Sequence, residues 1–280
     1  MIDTPSDLAD QVTRALAEDV GSGDITAALV PADRAARASV ISRESAVLCG
    51  RPWFDATFRQ LSREVRIDWQ VDEGARIAPD ALLCRLSGPA RAILTGERTA
   101  LNFLQTLSAT ATVTRAFVEA IAGTACEILD TRKTLPGLRT AQKYATRVGG
   151  ARNHRTGLFD AVLIKENHVA AAGSITAAIR AARGLTKVTV EVEVEDLAEL
   201  AEALAARPDM VLLDDFTLED LRAAVALNRA HGRPVKLEAS GGIQLGNVRA
   251  IALTGVDFIS IGSLTKHVRA IDLSMRFETQ

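Results

Sequence analysis

The chain has 280 residues, 48% of them hydrophobic, and 33 Lys and Arg against 35 Asp and Glu give a net charge of −2. That length admits one large α/β domain or two domains with their own cores, and the apolar fraction excludes a disordered chain. The weakly acidic balance and an aromatic content of 4% argue against a nucleic-acid binder, which needs a basic surface and exposed stacking rings.

The N-terminal run MIDTPSDLADQV lacks the basic and apolar regions of a signal peptide. No apolar run approaches the roughly 18 residues of a membrane helix. A cytoplasmic protein without membrane partners is expected. Ser6 is read as the cap of a helix reaching about Glu18, with Leu8, Val12 and Leu16 on one face. Short strands follow at Ala38–Ser42, Ala46–Cys49, Val65–Val71 and Leu82–Leu86. Val65, Ile67, Trp69 and Val71 alternate as in a half-buried antiparallel strand. Turns are expected at Asp72–Gly74 and Ser87–Pro89. Gly21–Gly23 is no dinucleotide fingerprint, because neither a third glycine nor a preceding strand accompanies it. Two helices are expected next, from Ala90 to about Leu107 and from Thr110 to about Ala122, with Gly123 as the stop. Cys49, Cys84 and Cys126 are far apart and form no CxxC pair, which suits buried core thiols better than a zinc site or disulfide framework.

From Glu127 onward the period changes. Short apolar strands at Glu127–Leu129, Ala161–Ile164, Val188–Val194, Val211–Leu213, Val235–Leu237 and Phe258–Ile261 alternate with helical stretches at Ser174–Arg183, Leu197–Ala206, Leu218–His231 and Leu245–Thr254. Repeated βα units predict a parallel sheet, here a six- or seven-stranded (β/α) barrel, with an open doubly wound sheet as the alternative.

In such a barrel the chemistry sits where the strands end. Those ends read Asp130-Thr131-Arg132-Lys133, Lys165-Glu166-Asn167-His168, Asp214-Asp215, Glu238 to Gly242, and Gly262-Ser263, while Glu191 and Glu193 share one face within their strand. Between Asp130 and Lys165 lie eight Lys or Arg against two acids, a concentration of positive charge suited to a polyanion. Ser240-Gly241-Gly242 and Gly262-Ser263-Leu264 each sit between a strand and an expected helix start, as a phosphate site would. Glu193 and Asp214 beside a basic rim suggest ligand hydroxyls or a divalent cation such as Mg²⁺. The inventory suits a phosphorylated ribose, a pyrophosphate with Mg²⁺, and a carboxylated co-substrate. On spacing alone Arg98 is an exposed helix residue, Glu191 reads equally as a satisfied interior carboxylate, and solvated-face and pocket readings of Lys143 and Arg147 stand even.

Several longer motifs carry a resemblance. They are EDVGSGDIT (Glu18–Thr26), GERTALNFLQTLSATAT (Gly96–Thr112), DTRKTLPGLRTAQKYA (Asp130–Ala145), GGARNHRTGLFDAVLIKENH (Gly149–His168), VEVEVE (Val190–Glu195), LLDDF (Leu212–Phe216), EASGGI (Glu238–Ile243) and GSLTKHVRAIDLSMRF (Gly262–Phe277). Through them nearly the whole chain resembles the quinolinate phosphoribosyltransferase family. The resemblance implies an N-terminal α/β sandwich domain with a linking helix (1–110), a barrel of the type II phosphoribosyltransferase kind (111–268), and a C-terminal segment (269–280) returning to the first domain. It implies transfer of phosphoribose from phosphoribosyl pyrophosphate to quinolinate with decarboxylation, with Mg²⁺, in NAD biosynthesis. Arg98 would complete the site of a neighbouring subunit in a homodimer or hexamer. Arg132, His154, Arg155 and Lys165 would join it on the dicarboxylate, with Thr131 in the same motif. Lys133, Glu193 and Asp214 would lie near the pyrophosphate substrate, and the two glycine loops would hold its 5′-phosphate. Asp215 stands where the family usually has Asn, and Ser263 where it usually has Ala. Alternatives are the molybdenum-associated paralogue, a phosphate-binding isomerase barrel, and a non-catalytic anion-binding barrel.

Overall fold

The computed structural model describes residues 2–278. The chain divides into two compact units, one built from Met1–Arg115, Thr134–Gly150 and Leu264–Gln280, the other from Ala116–Lys133 and Ala151–Ser263.

The first unit opens with helix α1 (Leu8–Val20), whose N-cap is Asp7 rather than Ser6. The Asp7 carboxylate accepts hydrogen bonds from Gln11 (2.9 Å) and Thr140 (3.0 Å), which places the helix start one residue late. Strands β1 (Ala35–Ser42) and β2 (Ala46–Val47) follow, then helix α2 (Arg51–Leu61), which the sequence reading does not anticipate. Its N-cap, Gly50, has no side chain to offer. Glu73 supplies the cap from 23 residues away, accepting the Gly50 and Arg51 amides at 2.8 and 3.1 Å. Strands β3 (Arg66–Trp69), β4 (Arg76–Ile77) and β5 (Leu82–Pro89) complete the N-terminal part. Ser87–Pro89 continues β5 and pairs with Ala35–Arg37, so it is not the expected turn. The main sheet runs β12-β1-β5-β3, all antiparallel, with β12 (Leu273–Phe277) delivered by the C-terminal segment.

Helix α3 is one continuous element, Ala90–Ala120, where two were expected. Ser108 lies where the break was expected. Its hydroxyl accepts the Cys49 amide (2.9 Å) and donates to the Cys49 carbonyl (3.1 Å), so the hydroxyl is spent on a neighbouring segment. Phe54 and Phe58 of α2 and Ile93, Leu101 and Leu104 of α3 are fully or almost fully buried with Val40, Leu83 and Leu86 of the sheet. A second cluster joins Val12, Trp53, Phe103 and Leu107 to Tyr144 of helix α4 (Arg139–Gly149). All three cysteines are buried and free.

The second unit is a six-stranded parallel sheet ordered β6-β11-β10-β9-β8-β7, from β6 (Glu127–Leu129), β7 (Val162–Ile164), β8 (Val190–Val194), β9 (Met210–Asp214), β10 (Lys236–Ser240) and β11 (Phe258–Ser260). Arg152 adds a seventh short rung beside β6: its amide donates to Ile128 and its carbonyl accepts from Asp130. Helices α5 (Glu166–Ala172), α6 (Ile175–Leu185), α7 (Leu197–Ala206), α8 (Leu218–Ala230) and α9 (Val248–Ala252) connect the strands, and α10 (Ser263–Lys266) follows β11. Ser174, Asp196 and Thr217 cap α6, α7 and α8 through side-chain oxygens. Val190, Val192 and Val194 are fully buried on one side of β8, and the pleat therefore turns Glu191 and Glu193 to the other. On that second side Leu212 pairs with both Glu193 and Glu238, and Ser240 pairs with Asp214. Among the described residues no helix is long and apolar enough to cross a membrane.

Gly149 and Gly184 both lie within helices but differ in surroundings. A Cβ on Gly149 would sit 2.5 Å from Thr114 Cβ and 2.8 Å from the Ala111 carbonyl, whereas one on Gly184 would meet nothing within 4 Å. Gly149→Ala should lower the unfolding free energy by about 1–3 kcal/mol through overpacking, and Gly184→Ala should raise it by about 0.5–1 kcal/mol. Thermal or urea unfolding of the two variants checks the opposite signs.

Candidate active site

At the end of β6 the side chain of Asp130 is completely buried. Its carboxylate accepts the Asn153 side-chain amide at 2.6 Å and the His154 backbone amide at 2.9 Å. That pair of bonds fixes the turn carrying His154 and Arg155. The sequence reading missed Asp130 and Asn153 as site builders, because their partnership spans 23 residues.

His154 points between two glutamates of the sheet. Its Nε2 lies 2.8 Å from Glu191 and 3.4 Å from Glu238, and both glutamates are almost wholly buried. Its Nδ1 accepts the Arg155 amide at 2.7 Å. Burial alone would depress the ring's pKa, but the hydrogen bonds and charges of Glu191 and Glu238 outweigh it and raise it to about 10. Burial, then the charge of Glu238, pushes Glu191 up to about 7. A ring protonated at both nitrogens could not accept the Arg155 amide, so with Nδ1 as acceptor the ring carries its hydrogen on Nε2, facing the two carboxylates. Arg155 is half-buried, and burial followed by the nearby charge of Arg132 lowers its pKa. Arg132, His154 and Arg155 therefore form one group, backed by Glu191 and Glu238. Glu238 lies inside β10, not at its end as the sequence suggested, and Ser240 is the terminal residue.

A second group forms around Asp214. Burial, then the charges of Glu193 and Asp215, raise its pKa, while Lys165 and Lys133 oppose that rise. Lys165 forms an ion pair with Glu193. Its backbone amide donates to His168 Nδ1 at 3.0 Å, which gives His168 a structural task at the start of α5. Thr131 accepts the Lys133 amide at 3.1 Å, folding the strand end back. A Cβ on Gly262 would lie 2.9 Å from Lys133 and 3.6 Å from Thr131, so the ends of β6 and β11 meet there.

The glycine loops are in place but differ from expectation. After Ser240, Gly241 and Gly242 the next helix begins only at Val248, and the helix after Gly262 spans only Ser263–Lys266. A phosphate at these loops would rely on backbone N–H groups of the turns rather than on a long helix. Asp215 takes a left-handed conformation (φ 52°) and donates its amide to Ser240 at 3.0 Å. Its carboxylate fills the place where a side chain on Gly241 would begin. Leu264 is fully buried, so only its backbone is available to a ligand. Arg98 lies on α3 in the first unit, with its side chain exposed.

Residues 24–108 match the N-terminal domain of quinolinate phosphoribosyl transferase, and residues 110–276 match its C-terminal domain. The chain belongs to the quinolinate phosphoribosyl transferase family. Within the family, the nicotinate-nucleotide pyrophosphorylase (carboxylating) of Mycobacterium leprae is 43% identical over 274 residues, covering 95% of each chain. The Homo sapiens protein of the same name is 41% identical, over 89% of this chain and 85% of its own. The structure of the nicotinate-nucleotide pyrophosphorylase from Francisella tularensis superposes with a TM-score of 0.92 at 46% identity, covering 99% of this chain and 98% of that one. The α/β architecture expected for the family, a small sheet unit and a parallel-stranded unit, is the one found.

Asp130→Ala would leave the His154 amide and the Asn153 side chain without their acceptor. It should cost about 1.5–3 kcal/mol of stability, the range for a bond to a charged group. Urea unfolding at unchanged m-value checks this, and a negligible shift would show that other bonds hold the turn.

Proposed function

We propose that the chain transfers the phosphoribosyl group of phosphoribosyl pyrophosphate to the ring nitrogen of quinolinate. The 2-carboxylate leaves as CO₂, and the products are nicotinate mononucleotide and pyrophosphate, as NAD biosynthesis requires. The observation that carries the reading is the division of the second unit's charged residues into two groups. Arg132 and Arg155, the latter with its backbone amide held by the His154 ring, form a cationic set suited to a planar dicarboxylate, which guanidinium forks bind bidentately. Lys133, Glu193 and Asp214 form a mixed set suited to ribose hydroxyls and a pyrophosphate. Lys165, paired with Glu193 and within the field of Asp214, stands between the two tasks.

The pyridine nitrogen carries its own lone pair, so no general base is needed to create the nucleophile. Positioning and charge supply the catalysis. The carboxylates of Glu193 and Asp214 favour positive charge developing on the ribosyl carbon. Once ribosylated, the ring is cationic and stabilises the carbanion left by decarboxylation, which then takes up a proton. Mg²⁺ would be held mainly through the pyrophosphate, with Glu193 and Asp214 as the candidate protein ligands, because hard oxygen donors suit it. Bound there, Mg²⁺ would stabilise the departing pyrophosphate. The glycine loops Ser240-Gly241-Gly242 and Gly262-Ser263-Leu264 are assigned to the 5′-phosphate. We assign exposed Arg98 to the quinolinate site of a neighbouring subunit, within a homodimer or hexamer, and the enzyme to the cytoplasm.

Protein mixed with quinolinate, phosphoribosyl pyrophosphate and Mg²⁺ should release nicotinate mononucleotide and CO₂ in equal amounts. Arg132→Ala and Lys165→Ala should each lower kcat/KM for quinolinate about a hundredfold, as expected when charge-assisted bonds are lost. Near-normal kinetics in both would remove the rim from the reaction. Mixing the impaired Arg98→Ala and Lys165→Ala proteins should restore part of the activity if one subunit completes the other's site.

A further inference from the structure

We infer that Glu191 and Glu238 are positioning residues for quinolinate, acting through the His154 ring on Arg155. This rests on the assignment of Arg155 to the dicarboxylate. Glu191 belongs to β8 and Glu238 to β10, with β9 between them, and the side chains are only 2% and 1% exposed. Their carboxylates converge on one atom, His154 Nε2, at 2.8 and 3.4 Å. The opposite ring nitrogen accepts the Arg155 amide at 2.7 Å, and Asp130 holds the His154 amide at 2.9 Å. Each polar handle of His154 is thus committed to the protein. The ring acts as a strut between the sheet interior and the backbone of Arg155.

A purely structural role accounts poorly for this arrangement. Glu191 Oε1 is buried without a hydrogen-bond partner, and Glu238 Oε2, equally buried, has only the 3.4 Å approach to His154 Nε2. Two carboxylates packed together in a sheet interior disfavour folding, and apolar residues of similar size would serve stability as well or better. What apolar residues cannot do is accept the Nε2 hydrogen and so orient the ring. Without that acceptor the ring is free to rotate, Nδ1 leaves the Arg155 amide, and the guanidinium loses its fixed origin beside Arg132.

The test is Glu191→Leu, measured for folding and for both substrates. The protein should unfold at the same temperature as the parent or higher. Its quinolinate KM should rise about tenfold or more, the size of one lost oriented hydrogen bond to a charged group, and the KM for phosphoribosyl pyrophosphate should stay unchanged. Glu191→Gln retains an acceptor and should recover most of the loss. In a His154→Ala background Glu191→Leu should add no further loss, because the two act in series. Glu238→Leu, at the longer distance, should act in the same direction with a smaller effect, and it keeps the test open if Glu191→Leu does not fold. An unchanged quinolinate KM in the folded Leu variants, or an equal rise for both substrates, overturns the inference. Arg155→Ala is measured separately: if it leaves the quinolinate KM unchanged, the assignment of Arg155 itself fails.

Discussion

The carboxylate of Asp130 ties the end of β6 to the Asn153–His154 turn, and the arrangement of the cationic group follows from that tie. A buried carboxylate is stable only when its oxygens are taken up by donors. Here the donors come from the segment that runs beside β6 as a seventh rung. The residue at the strand end therefore extends the sheet beyond its six regular strands and sets the level at which His154 enters. Arg155 follows one residue later, with its origin already determined.

The pleat does comparable work on the opposite strands. In β8 the valines occupy one side and Glu191 and Glu193 the other. Two residues along a strand separate two jobs. The deeper Glu191 meets His154, while Glu193, nearer the strand end, meets Lys165. The same strand thus serves both charged groups from one face, with the two carboxylates spaced two residues apart along it. Like charges gathered in one depression would otherwise destabilise each other, and each group contains its own counter-charge.

Much of the second unit is legible in the sequence because its signals are local. Val190–Val194 alternates plainly, and Ser174, Asp196 and Thr217 sit where caps are expected. β10 is read too short because Glu238, Ala239 and Ser240 carry no β-branched side chain, although strands on both sides hold them in the ladder. Helix α2 escapes notice because its cap is Glu73, remote in sequence. The break expected between Leu107 and Thr110 is absent, and Ser108, which lies there, bonds to Cys49 of a neighbouring segment. At the site, charged strand ends can be seen in the sequence, but the partners of Asp130 and His154 cannot. Hydrogen bonds across 23 or 37 residues leave no periodic trace.

The first unit is assembled from three separate stretches of chain. Its second apolar cluster needs Tyr144 from α4 as well as Val12 and Trp53, and its sheet needs β12 from the C-terminal segment to cover β1. No single cut in the gene releases this unit whole. A fragment ending before α4 would expose the Trp53 surface and leave β1 as a bare edge, which invites pairing with other chains. The unit must therefore be inherited, expressed and engineered together with the second unit, whose sequence interrupts its own, and insertion of foreign sequence is safest at turns that interrupt neither passage.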